Sequence, residues 1–139
     1  MATNTQFSIA VHLLIALAFN CEREMTSAHL AQSVNTSPSF VRRILAKLSK
    51  ARLVSTTTGK AGFCSLAKSA GEISLLDVYR AVEAPKAFSI HKYPVQSSCP
   101  VSCNIESVME RVLAKTQNSL ESSLGEITLA EVLADVQAR

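Results

Sequence analysis

The sequence predicts a mainly α fold: a winged helix-turn-helix with a two-stranded wing, followed by a long C-terminal dimerisation helix. Three observations predict it. Apolar residues recur at helical spacing over most of the chain, and Gly and Pro number only four each in 139 residues. Between Thr26 and Lys50 a short helical pattern, a polar turn and a second, cationic helical pattern follow one another. From Ile105 a helical stripe runs on for about twenty residues, longer than a small domain needs for its own core.

The elements follow in order. Phe7, Ala10, Val11, Leu14, Leu17 and Ala18 give a first helix over 5–19. Thr26 and Ser27 are N-cap candidates for a short helix carrying Leu30, Ala31 and Val34, and Asn35-Thr36-Ser37 supplies turn chemistry. Ser37-Pro38 restarts a helix, since Ser is favoured at the N-cap and Pro at the first helical position; it should run to about Lys50. Its inward stripe is Phe40, Val41, Ile44, Leu45 and Leu48, and its outward positions include Ser39, Arg42, Arg43, Lys47 and Lys50. Leu53 to Thr57 and Phe63 to Ala67 are β-prone runs flanking Gly59-Lys60-Ala61-Gly62, a hairpin that forms the wing. Ile73 to Glu83 is helical, with Ser74 as cap, Leu76, Tyr79, Ala81 and Val82 as core candidates, and Pro85 as terminator. Residues 84–103 are an irregular linker holding three of the four prolines and two cysteines. Ile105, Val108, Met109, Val112, Leu113, Leu120 and Leu124 then form the stripe of the long helix, for which a second copy is the natural cover. Gly125 should close this helix, and Thr128 with Glu131 should make a capping box for a last one. Three units result: a DNA-binding domain over 1–83, a sensor linker over 84–103, and the dimerisation and C-terminal helices over 104–139.

Composition and charge narrow the function. The chain is 47% apolar with five Phe, two Tyr and no Trp, so its apolar mass is mainly Ala, Val, Leu and Ile. That excludes a disordered chain and argues against a β-sandwich. From Met25 to Gly71 there are seven basic residues (Arg42, Arg43, Lys47, Lys50, Arg52, Lys60, Lys68) and no Asp or Glu, whereas the other 92 residues hold seven basic and eleven acidic ones. A one-sign block of this length faces a polyanion. With the helix pattern around it, double-stranded DNA is the expected partner, read by Thr36, Ser37, Ser39, Arg42, Arg43, Lys47 and Lys50 and by Lys60 at the wing tip. The apolar run from Ile9 to Phe19 is too short for a membrane span and no positive charge precedes it, so a cytoplasmic protein is expected. No phosphate loop, zinc motif or nucleophile motif points to an enzyme, and none is expected.

These residues resemble one family. The helix-turn-helix order, the Gly59…Gly62-Phe63 wing, the Ile73-Ser-Leu-Leu-Asp-Val-Tyr-Arg-Ala-Val-Glu83 run and a cysteine segment before a long helix are similar to the Rrf2 family of bacterial winged-helix regulators. Its members include an iron-sulfur cluster regulator, a nitric-oxide-sensing repressor and a cysteine-metabolism repressor. The resemblance implies a homodimer that binds an imperfect palindrome with the 38–50 helix and the wing. Two departures stand out. The family wing reads Gly-Gly-Tyr where this chain has Gly62-Phe63-Cys64, and cluster-binding members carry three loop cysteines where this chain has Cys99 and Cys103. An iron-sulfur cluster would therefore need another ligand, for which His91 is the candidate.

The preferred reading has no cofactor and uses the thiols themselves. Cys103 stands at or just before a helix start, where unpaired N–H groups favour negative charge, and His91 and Lys92 bring positive charge towards Cys99. Oxidation or alkylation of Cys99 and Cys103 is expected to release the DNA, making the regulator a repressor. Control by a partner protein or metabolite, without thiol chemistry, is the alternative. Cys21 and Cys64 are expected to be buried small residues and His12 a core histidine.

Overall fold

The computed structural model describes residues 4–57 and 62–139. Lys60, with the rest of the wing tip, lies outside them. The first helix, α1 (Gln6–Phe19), buries Ala10, Leu13, Leu14, Ile15, Ala16 and Leu17 and is apolar nearly all round. A helix of that kind must be covered on several sides. Here α2 (Ser27–Val34), α3 (Pro38–Lys50), α4 (Leu75–Ala81) and α6 (Leu129–Gln137) surround it, with strand β2 (Cys64–Leu66) closing the remaining side.

The turn between α2 and α3 is fixed from both ends. Thr26 caps α2 in a capping box in which His29 takes the place usually held by Glu or Gln, its Nδ1 accepting from the Thr26 N–H at 3.3 Å. Asn35 ends α2 in the left-handed conformation that Asn tolerates better than most residues. Ser37 then caps α3, its Oγ accepting from the Phe40 N–H at 3.3 Å, and Pro38 opens the helix. Ser37→Ala is expected to destabilise the fold by about 1 kcal/mol, the usual value of such a cap; urea unfolding of wild type and variant measures it.

A Schellman motif closes α3: the Arg52 N–H donates to the Ser49 carbonyl and the Leu53 N–H to the Leu48 carbonyl, with Arg52 at φ 64°. The chain turns directly into β1 (Val54–Thr56), which pairs antiparallel with β2 in the register Val54 with Leu66 and Thr56 with Cys64. Cys64 also bridges to Met25, tying the wing to the start of α2. Gly62 stands in close quarters at the strand entry: a Cβ there would stand 3.0 Å from the Thr57 carbonyl oxygen, and the backbone would have to give by a few tenths of an ångström.

After a 3₁₀ turn at Ala70–Glu72, α4 begins with a Ser74–Asp77 capping box. It ends sooner than Pro85 would impose. A second Schellman motif, with Glu83 at φ 53°, stops it at Ala81. Val78, absent from the expected core positions, is fully buried with Val82, while Leu76, Tyr79 and Ala81 are half-buried.

No helix or strand occurs over 84–99. The long helix α5 (Pro100–Glu126) starts four residues before the expected boundary, so Cys103 lies inside it. At 1.5 Å per residue its 27 residues span about 40 Å. Gly125 does not terminate α5. The helix runs through it to Glu126, and Ile127 is the C-cap in extended conformation. The expected Thr128–Glu131 box forms only by half: Thr128 Oγ1 accepts from the Glu131 N–H at 3.2 Å, without the reciprocal bond. Residues beside Thr128 pair with those beside Ser74, with Leu75 N–H to Ile127 O at 2.9 Å and Leu129 N–H to Ile73 O at 2.8 Å. This pairing sends α6 back against α1, where Leu129 is fully buried and Val132 and Leu133 pack on the core. The last helix, grouped by sequence with the 104–139 segment, thus completes the core built around α1.

Candidate nucleic-acid interface and cysteine segment

α3 is strongly two-faced. Val41, Ile44, Leu45 and Leu48 are buried, and Ser39, Arg42, Arg43 and Lys50 are exposed on the other side. The Arg43 guanidinium lies over the Phe40 ring, 5.1 Å from its centre, so the cation is held against the helix surface. Among the described residues the one ion pair is Arg80 with Glu121, at 3.7 Å, so no carboxylate neutralises the described cations of this module. Lys47 is placed differently. It is half-buried, and its Nζ donates to Gln6 Oε1 at 2.8 Å, which ties α3 to α1. Thr36 is half-buried, and the Ser37 hydroxyl is occupied as a cap. Arg52, which sequence reasoning left out of the interface, is exposed at the turn between α3 and the wing, in a conformation that suits glycine. An arginine at such a position in an acid-free segment was the available signal.

Cys99 is the N-cap of α5. Its Sγ accepts from the Ser102 N–H at 3.4 Å, and its carbonyl accepts from the Cys103 N–H at 3.1 Å. Gln96 closes the turn, its N–H donating to Ser102 Oγ at 2.8 Å and its carbonyl accepting from the Cys99 N–H at 3.0 Å. Cys103 is exposed, with its S–H directed at the carbonyls of Gln96 and Ser97, 3.7 Å from each. Both thiols are free. His91 is exposed beside Tyr93, their ring centres 6.0 Å apart. Among the described residues no three His, Cys, Asp or Glu side chains gather as metal ligands would. His91, Cys99 and Cys103 therefore do not assemble the donor set that an iron-sulfur cluster needs.

Cys21 and His12 correct the expectations, whereas Cys64 is buried as expected. His12 is exposed on α1 and shares a hydrogen bond of 2.9 Å with Ser33 Oγ. Cys21 is exposed. Cys64 alone is buried, and burial pushes its thiol above the ordinary cysteine value. Thiolate labelling with iodoacetamide is expected to reach Cys21 and Cys103 in the folded protein and to spare Cys64, as mass spectrometry of partly labelled protein would show.

One side chain connects these parts. Gln117 is the only buried residue of α5. Its Oε1 accepts from the Ala87 N–H at 3.0 Å, and its Nε2 donates to the Tyr79 hydroxyl at 2.9 Å. Tyr79 in turn donates to the Pro85 carbonyl at 2.7 Å and packs edge-on against Phe7. The start of the linker, α4 and α5 thus meet at one amide. Along the rest of α5, Ile105, Met109, Leu113, Leu120 and Leu124 are half-buried, while Val101, Val108 and Val112 are 66%, 40% and 47% exposed.

Residues 3–135 match the model of the Rrf2 family, described as an iron-dependent transcriptional regulator. The chain is 33% identical over 131 residues to the HTH-type protein YwnA of Bacillus subtilis, covering 94% of this chain and 96% of that one. Among solved structures, a protein of Lactobacillus plantarum described as a transcriptional regulator superposes with a TM-score of 0.81 and 25% identity, over 96% of this chain and 90% of that one. The oxidised form of CymR from Staphylococcus aureus superposes at 0.69 with 21% identity, over 96% of each chain, a likeness of fold alone. Among the described residues no helix is long and apolar enough to cross a membrane.

Proposed function

The chain belongs to the Rrf2 family of DNA-binding transcription regulators, and from that premise we propose that it is a repressor, acting as a homodimer on an imperfect palindrome and released by oxidation or alkylation of Cys99 and Cys103. The observation that carries the thiol reading is the place of Cys99: its sulfur caps α5, the helix that this proposal gives to the dimer. A disulfide needs its Cβ atoms about 3.5–4.5 Å apart, whereas the Cys99 sulfur is engaged by the Ser102 N–H and the Cys103 S–H points to the Gln96 and Ser97 carbonyls. A Cys99–Cys103 bridge therefore closes only if the first turn of α5 rearranges. In that step hypochlorous acid takes two electrons from the two thiols. One S–S bond forms, and chloride, water and a proton leave. A bulky alkyl group on Cys99 disturbs the same cap.

The disturbance reaches DNA through spacing. The two α3 helices must meet half-sites about 34–36 Å apart, and α5 sets their separation. Breaking even one or two bonds to base or phosphate, worth about 1–3 kcal/mol each, lowers affinity tenfold or more. The fold neighbour CymR, known in an oxidised form, fits this reading. The test is a gel-shift series with hypochlorite, a quinone and diamide on reduced wild type, Cys99→Ser and Cys103→Ser. Serine is a strong N-cap, so Cys99→Ser keeps α5 capped and binds the operator while losing the response. Release of Cys99→Ser at the same oxidant doses as wild type would show the thiol reading of that residue to be wrong. Metal-free preparation of the protein under nitrogen, with full operator binding, is expected alongside.

A further inference from the structure

A cleft of about 620 Å³ lies between residues 85–92 and α5, within the range of roughly 300–1,000 Å³ typical of small-molecule sites. Its two walls differ in charge. Glu106 and Glu110, one helical turn apart, stand on the α5 wall, and Lys86 and Lys92 stand on the linker wall. Among the described residues none of the four is in an ion pair. Phe88 and Leu113 add apolar surface to the same cleft. Gln117, the amide that ties Ala87 to Tyr79, also lines it.

We propose that this cleft is an effector site for a small zwitterion, a free amino acid or dipeptide with an apolar side chain. Its ammonium group faces Glu106 and Glu110, its carboxylate faces Lys86 and Lys92, and its side chain lies on Phe88 and Leu113. Charge complementarity selects this class. A simple anion brings repulsion from the two glutamates, a simple cation brings it from the two lysines, and an uncharged ligand desolvates four charges without pairing any. A zwitterion draws the two walls together. Because the linker wall is fastened to α4 through the Gln117 amide, closure acts directly on the DNA-binding domain. The site is independent of the cysteines.

Isothermal titration of the reduced full-length protein with L-leucine, L-phenylalanine and L-leucyl-L-leucine tests the proposal. 4-Methylpentanoate and 3-methylbutylamine serve as single-charge analogues. At least one zwitterion is expected to bind. Its single-charge analogues, and the Glu106→Gln, Glu110→Gln double variant, are expected to bind about tenfold more weakly or worse, the loss of one charge-assisted hydrogen bond or more. Both glutamates are exposed, so the variant should keep the wild-type thermal midpoint without ligand. No binding by any of the three zwitterions, or equal binding by the analogues or the variant, overturns the proposal. A ligand-free protein in which Lys86 and Lys92 resist acetylation would place a second copy in the cleft and overturn it as well. Since calorimetry reads binding and not DNA release, its result is separate from that of the thiol experiment.

Discussion

Val112→Glu is expected to leave each subunit folded and to abolish pairing. Val112 is half exposed in the single subunit, so a carboxylate there reaches water and costs the monomer little. In the proposed dimer the same position is expected to be covered. Val101, Ile105, Val108 and Val112 follow one another at spacings of four, three and four residues, the pattern of a seam between two helices. Within one subunit α5 buries only Gln117 fully, so a 27-residue helix has its apolar seam without cover. An uncompensated buried charge costs about 3–5 kcal/mol, which weakens association by roughly a hundredfold to several thousandfold. Sedimentation velocity at micromolar concentration is the measurement: a dimer is expected for wild type and a folded monomer, by circular dichroism, for Val112→Glu. A folded wild-type monomer at that concentration would remove the dimer from the proposed function.

The second large effect concerns the outer face of α3. Arg42→Ala with Arg43→Ala is expected to weaken operator binding about a hundredfold, taking about 1–3 kcal/mol for each arginine at a base edge or phosphate. Both side chains are exposed and neither is in an ion pair among the described residues, so stability and dimerisation should not change. If the arginines bind phosphates, the log-log dependence of affinity on salt becomes shallower by about 0.9 for each phosphate that the variant no longer neutralises. Lys47→Ala gives the contrast. Its ammonium is held by Gln6, so its loss is expected to act more on the α1–α3 packing and less on the salt slope. Fluorescence anisotropy with an operator duplex over a salt series separates the two, and an unchanged affinity for the double variant would refute α3 as the reading helix.

Local chemistry made much of this legible. The start of α3 at Pro38 and its end at Lys50 follow from one cap, one proline and one apolar stripe, each a property of adjacent residues. The acid-free cationic segment needs only counting. The wing strands follow from β-prone runs on either side of a glycine-containing loop. Local rules therefore set the order of helices, the wing strands and the charged face, because spacing, capping and charge act over a few residues. Long-range packing set the rest. α6 joins the first domain because residues 73–75 pair with 127–129 across more than fifty positions. Lys47 is tied to α1 because a glutamine 41 residues away accepts its hydrogen bond. Cys99 becomes a helix cap, and His91, Cys99 and Cys103 do not gather as a set of three, because irregular backbone carries no period from which a position in space could be read. Pairings between residues distant in the chain depend on the packing of the whole, and no local pattern encodes them.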